Sequence, residues 1–265
     1  MLKKLFKCLS AAAVVLSLTA CGSSSSSTEE PAETKKDTFT VGFDQNFPPF
    51  GYVDENGEFA GFDIEMATEA AKRMGKEVVL QPIDWDAKDM ELESGTIDCI
   101  WNGFTINGRE DQYTWSKPYF QSAQVILVRK DSGITTLADL KDKTVDVQKE
   151  SSALTALEDE GELIKTFKEL IQVGEYNTAI MDLESGAVDA VAVDYSVALD
   201  QIKNKEDLMI LEEFISDEQY GVGFKKGNTE LRDEVQKVLD EMIEDGFYEE
   251  TYKKYFEGEP NIPEA

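Results

Sequence analysis

The chain has 265 residues, and its 54 Asp and Glu against 26 Lys and Arg give a formal charge of −28 at pH 7. Such a surface repels phosphate backbones, so nucleic acid is not a partner to expect. Histidine is absent altogether, which removes the commonest general base and the commonest metal ligand together, and no metal or other cofactor is expected.

Residues 1–21 read as an export signal: Lys3, Lys4 and Lys7 form a charged start, residues 9–18 are apolar, and Leu18-Thr19-Ala20-Cys21 is a small-residue cleavage site. The apolar run is too short to cross a bilayer, which takes about 20 residues. A cleavage site ending in Cys resembles the lipobox of bacterial lipoproteins and makes Cys21 the expected lipidation site. An ordinary cleaved signal with an incidental Cys is the other reading. Residues 22–37 hold a serine run and then a Glu/Lys/Pro-rich stretch, too polar to build a core, and read as a flexible tether. The expected location is therefore the outer face of the cell membrane of a Gram-positive bacterium, with the membrane contacted through an N-terminal lipid. Loss of the signal lysines takes the charge from −28 to −31. Of three cysteines, Cys8 and Cys21 fall in the signal or its boundary, which leaves Cys99 alone, without an internal disulfide and read as a small buried hydrophobe.

Residues 39–43 alternate as a strand and leave it through a turn containing Pro48-Pro49; residues 54–58 carry an Asn-Gly hairpin signal. Ile64, Ala67, Ala71 and Met74 then recur at helical spacing, with Asp63 as N-cap and Gly75 beyond the end. A strand over 77–82, a helix over 88–93 and a strand over 97–101 follow. The second half predicts a strand over 144–147, a helix over 153–160 opened by Ser151-Ser152, helical stretches over 163–170 and 178–183, and strands over 188–193 and 222–225. A long helix carrying Leu231, Val235, Leu239, Met242 and Ile243 stops at Gly246.

One stretch recurs: LESGTIDCIW at 92–101 returns as LESGAVDAVA at 183–192, an offset of 91 residues. Solenoid repeats run at about 20–50 residues, so the offset points instead to two lobes with one similar α/β unit in each. Gly95 and Gly186 each supply a left-handed residue between helix and strand. Asp98 and Asp189 read as acceptors of backbone hydrogen bonds at the strand starts, a ligand role being the alternative. The fold class expected is α/β with two lobes: residues 38–128 plus 221–265 in the first, 129–220 in the second, joined by crossings near 127–131 and 218–224. In open α/β sheets ligands bind beyond the carboxyl ends of the strands. The loops there are 44–50, 102–109, 148–153 and 194–195.

Those loops carry complementary chemistry. Arg109 is one of only four arginines and follows a buried strand, where its guanidinium can fork onto a carboxylate; pairing with Glu110 or Asp111 is the plain alternative. Ser151 and Ser152 open a helix, offering free N–H groups and hydroxyls to a carboxylate, or simply an N-cap. Asp194 ends the strand equivalent to the one that ends at Gly103 and can take an ammonium. Phe47 and Trp85 supply aromatic walls, or belong to the core. Together these groups describe a site for an α-amino acid.

The motifs GFDIEMATEAAKRMG, LESGTIDCIWNGFTINGRE, WSKPYF, LADLKDKTVDVQ, AVDAVAVD and YGVGFKKGN, spread over about residues 38–257, resemble those of the substrate-binding proteins for polar amino acids that feed ATP-binding cassette importers. The resemblance implies a two-lobed periplasmic-binding-protein fold of type II, a monomer, a free polar amino acid as ligand, and the membrane-embedded permease subunits of the importer as partner. It places the aromatic lid on Phe47 and Trp85. The ammonium contacts fall on Gly103, Thr105 and Asp194, the carboxylate contacts on Thr105, Arg109, Ser151 and Ser152, and the side-chain selectors on Asp44 and Gln148. Two departures stand out: the turn before Arg109 is one residue shorter than the usual Thr-Pro-Glu-Arg spacing, and Glu150 stands where glycine is common. Asp44, Gln148 and Glu150 suit a polar uncharged or cationic ligand side chain better than an anionic one. Rival readings are an enzyme of cyclic-acid dehydratase type, for which only Asp44 and Asp86 are available as acid or base, an amino acid-sensing lipoprotein, and an adhesin, which needs no clamp.

Overall fold

Alternation along the strands decides the layers. In strand Phe120–Arg129, Val125 and Leu127 point into one apolar cluster while Ile126 and Val128 point into another. In strand Ala190–Asp194, Val191 and Val193 join the first cluster, and Ala190 and Ala192 the second. A strand covered on both faces has to read as a continuous apolar run, which is how Val125–Val128 and Ala190–Val193 read within these two strands. The computed structural model describes residues 37–203, 205–260 and 262–263; the expected signal, Cys21 and the tether up to residue 36 lie outside the described residues.

The described chain forms two open sheets and a short three-stranded one. The first runs in the order Glu77–Pro82, Thr38–Phe43, Cys99–Ile100, Gly223–Phe224, Thr114–Trp115. The second runs Glu169–Val173, Thr144–Gln148, Ala190–Asp194, Phe120–Arg129, Leu208–Ile210, with Ser216–Tyr220 also paired to Phe120–Arg129. In each, the first strand of the unit lies between two parallel neighbours. The repeated stretch does the same work in both. Gly95 and Gly186 end their helices at φ 78°, and the Asp98 and Asp189 carboxylates accept from the backbone N–H of Thr40 at 2.7 Å and Thr144 at 2.9 Å.

Several elements differ from the sequence reading. Strand Phe120–Arg129 pairs along its length with strands of the second sheet, so the chain has left the first sheet before residue 120 rather than near 127–131. It returns between Tyr220 and Gly223. The stretch 163–170, expected as helix, is instead the end of a short helix, Gly161–Ile164, followed by the edge strand Glu169–Val173. Its half-buried Leu170 and Ile171 do not alternate cleanly because the edge is covered from two sides, which blurs the period. Asp63 is not an N-cap: helix Phe62–Arg73 starts after Gly61, and Asp63 sits buried in the first turn. Its carboxylate there accepts from the Gly103 N–H at 2.6 Å and from the Tyr119 hydroxyl at 2.9 Å. Burial pushes this carboxyl up to about 7.

Candidate functional site

All ten residues expected at the ligand site line one cavity: Asp44, Phe47, Trp85, Gly103, Thr105, Arg109, Gln148, Ser151, Ser152 and Asp194. The topology explains the gathering. Asp44 and Gly103 follow the adjacent strands Thr38–Phe43 and Cys99–Ile100, and Gln148 and Asp194 end the adjacent strands Thr144–Gln148 and Ala190–Asp194. The two pairs face each other where the strand order of each sheet reverses. The cavity is narrow. Polar bonds cross it, among them Gln148 Nε2 to Asp44 Oδ2 at 2.7 Å.

One end is positive. The Arg109 guanidinium is 9 % exposed and donates only to main-chain carbonyls, of Thr105 at 3.4 Å and Glu150 at 3.1 Å, while lying over the Phe104 ring at 5.5 Å. Neither Glu110 nor Asp111 pairs with it. A turn from Ile106, closed by the Arg109 N–H on the Ile106 carbonyl at 2.8 Å with Gly108 at φ 78°, folds the arginine back into the cleft despite the shortened spacing. Buried charges are ordinarily paired, and among the described residues this one has no carboxylate. Glu150 holds a left-handed backbone (φ 54°) with its side chain exposed; it is the carbonyl, not the carboxylate, that reaches the site. That carbonyl also accepts from Lys88 Nζ at 3.4 Å, a buried cation that sequence reasoning missed, whose ammonium pKa burial lowers. Ser151 caps helix Ser152–Asp159 through the Leu154 N–H at 3.1 Å.

The other end is negative. Asp194 is buried, caps helix Tyr195–Ile202 through the Ser196 N–H at 2.9 Å, and accepts from Ser122 Oγ at 3.2 Å. Burial, with the neighbouring Glu218 carboxylate second, holds its carboxyl well above the usual range. Glu218 is itself buried and accepts from Thr105 Oγ1 at 2.6 Å and Gln124 Nε2 at 2.7 Å. Gln124 lines the cavity with its Oε1 buried and, among the described residues, unpartnered, and Asn102 does so with its Nδ2. An unmet acceptor and an unmet donor, each costing about 1–3 kcal/mol when left empty, mark places for ligand groups.

Asn102, Gln124, Tyr176 and Glu218 were not found in the sequence. One of them had a signal: Tyr176 stands 91 residues after Trp85, in register with the LESG repeat, and both line the cavity. Tyr176 stacks at a tilt on Phe47, with centroids 5.9 Å apart, and Trp85 meets Phe104 edge-on at 5.5 Å.

A cleft between two α/β lobes, positive at one end and negative at the other with aromatic walls between, defines a binding protein for a small zwitterion. The model of the bacterial extracellular solute-binding proteins, family 3, matches residues 39–258, and the chain belongs to that family. It is 34% identical over 229 residues to the L-cystine-binding protein TcyJ of Escherichia coli K12, covering 84% of each chain. It is 32% identical over 270 residues to the arginine-binding extracellular protein ArtP of Bacillus subtilis, covering 97% of this chain and 100% of the relative. Among solved structures, a substrate-binding protein of an ABC uptake transporter from Streptococcus pneumoniae with bound histidine superposes with a TM-score of 0.81 at 33% identity, over 84% of this chain and 94% of that one. The protein is a two-lobed extracellular solute-binding receptor.

Proposed function

We propose that the receptor captures a free polar amino acid between its lobes and hands it to an ABC importer. The observation that carries this reading is Arg109, a buried guanidinium in the cavity with no carboxylate partner among the described residues. An α-carboxylate forked onto it, with help from Ser152 and the Asn102 amide, supplies the missing charge. The ammonium then meets Asp194, Glu218 through Thr105, and the free Gln124 oxygen. Asp44, raised from its usual pKa chiefly by burial, and Gln148 meet the ligand side chain. These acceptors favour cationic and polar uncharged side chains, in keeping with the arginine, histidine and cystine of the relatives' names. An enzyme would need a placed proton donor beyond the clamp; Asp44 is held by Gln148 and the Asn46 N–H at 2.8 Å, which suits a selector rather than an acid.

The site takes residues from both lobes, so the lobes part to load and close to hold. A thermal-shift screen with the common amino acids and cystine tests the reading. A shift with one or a few polar members is expected; no shift with any of them would overturn it. Lipid attachment at Cys21 and export to the outer membrane face belong to the same proposal, as does the monomeric state. Cys21→Ala releases the protein from membranes if they hold.

A further inference from the structure

Among the described residues, Lys88 is the one buried lysine or arginine besides Arg109, 2% exposed at the start of helix Lys88–Ser94. Its ammonium lies over the Trp85 ring at 5.4 Å. Trp85 lines the ligand cavity and Lys88 does not. The ammonium joins no ion pair among the described residues, and its hydrogen bond there, 3.4 Å long, goes to the main-chain carbonyl of Glu150. Taking a charge out of water for one long bond is costly, because buried charges are stable chiefly when paired. The fold itself therefore gains little from this lysine.

Glu150 belongs to the other lobe, between strand Thr144–Gln148 and helix Ser152–Asp159. Its φ of 54° is left-handed, which carries a steric cost for a residue with a side chain. The carbonyl so placed accepts from Arg109 Nη2 at 3.1 Å as well as from Lys88. Two cations of one lobe thus converge on one oxygen of the other. Ser151 and Ser152 follow directly and line the cavity, so whatever fixes the Glu150 carbonyl also fixes this pair against the ligand. The Lys88 bond crosses the cleft and exists only while the lobes are closed.

We infer that Lys88 is a positioning residue for the loaded receptor: by gripping the Glu150 carbonyl it sets Ser151 and Ser152 against the ligand carboxylate and slows reopening. The inference rests on the amino acid reading above. Lys88 lines no part of the cavity and acts through the Glu150 main chain. Side by side, the Lys88 and Arg109 charges repel. A carboxylate forked onto Arg109 offsets that repulsion, so both cations hold the carbonyl at little cost only when the site is loaded. The grip is then a contact that favours the closed, loaded form over the closed, empty one.

The test uses purified full-length protein. Arginine, histidine, glutamine and cystine serve as probes, and whichever raises the melting temperature of wild type is followed by stopped-flow tryptophan fluorescence. Lys88→Met keeps the length of the side chain and removes its charge and donors. It is expected to release the probe at least tenfold faster, with association changed by no more than about twofold, because the grip forms after encounter. The empty variant should melt at the wild-type temperature or above it, since no charge is left to bury. Lys88→Arg, which keeps a charge and a donor, should recover most of the lifetime. The difference between Lys88 and Lys88→Met should persist in a Glu150→Gln background, which alters the carboxylate and leaves the carbonyl. Unchanged release from Lys88→Met, or a lower melting temperature of the empty variant, would overturn the positioning role. So would loss of the difference in the Glu150→Gln background, which would make the partner the carboxylate. If no probe shifts wild type, the binding reading falls and the role of Lys88 with it.

Discussion

Thr105 Oγ1 gives its one proton to Glu218 Oε2 across 2.6 Å, inside a buried cluster with Asp194 and Gln124. A hydroxyl committed in this way can only accept on its other side. In this arrangement Thr105 offers the cavity an acceptor, which suits an ammonium. Glu218→Gln removes one of two carboxylates beside the ammonium and frees the hydroxyl proton to turn. Calorimetric titration is expected to show affinity lower by roughly ten- to a hundredfold, since a charge-assisted bond contributes about 1.5–3 kcal/mol and 1.4 kcal/mol is about a factor of ten. Unchanged affinity would remove Glu218 from the site.

The carboxylate end has its own test. Arg109→Ala should keep the fold, because its hydrogen bonds go to loop carbonyls, and cut affinity by well over tenfold. Arg109→Lys should recover little, since an ammonium cannot fork onto a carboxylate. The ligand's carboxamide analogue completes the cycle: it should bind wild type and Arg109→Ala about equally. An analogue that still distinguishes the two would place the arginine elsewhere in the recognition.

Stability should fall as pH rises. Asp146 is sealed between sheet and helix with both carboxylate oxygens unpartnered among the described residues; burial, with Asp182 nearby, raises it to about 6, and Asp63 rises to about 7. A carboxyl whose folded pKa exceeds its unfolded value, near 3.9, binds its proton more tightly in the native state. The stability that the proton supplies is full below about pH 4 and is lost as pH climbs through 6 and 7. Urea melts at pH 5 and 7.5 should show the earlier midpoint at 7.5. Asp146→Asn, whose amide can donate to Asp182, should raise the midpoint at 7.5 and flatten the dependence. A midpoint that rises with pH in wild type contradicts the buried-acid account.

Much of this site was legible in the sequence because its parts sit where topology puts them, at strand ends marked by a repeat. Gly95/Gly186 and Asp98/Asp189 could be read because each does a local job with a local signature, a left-handed turn or a strand-start acceptor. Glu218 and Gln124 left no such mark. They come from two antiparallel strands in the crossing region, and only the pairing of Ser216–Tyr220 with Phe120–Arg129 brings them together. The same long-range pairing hid the early crossing, since an apolar run such as Val125–Val128 does not say which sheet its strand joins. Asp63 was misread for a related reason: a carboxylate in a first turn looks like a cap until Gly103, 40 residues on, is seen to be its partner.

Ligand-gated closure follows from the same carboxylates. With the lobes together and no cation present, Asp194 and Glu218 share a buried space, and Asp194 holds a proton there more tightly than it would in water. At neutral pH that arrangement is costly, so the empty receptor should rest open, with both groups hydrated. An ammonium between them reverses the balance, and closure is stabilised only by groups the closed form alone assembles. Protons should do in part what the ammonium does, because a raised pKa in the closed form means that it gains stability as pH falls. Small-angle scattering of the empty protein is therefore expected to give a smaller radius of gyration at pH 5 than at pH 8, and saturating ligand at pH 8 should shrink it further. Asp194→Asn carries no charge to bury. It should be more compact than wild type when empty at pH 8, and should change less on adding ligand. If the empty wild type has the same dimensions at both pH values while ligand still compacts it, the charge of Asp194 and Glu218 is not what holds the lobes apart.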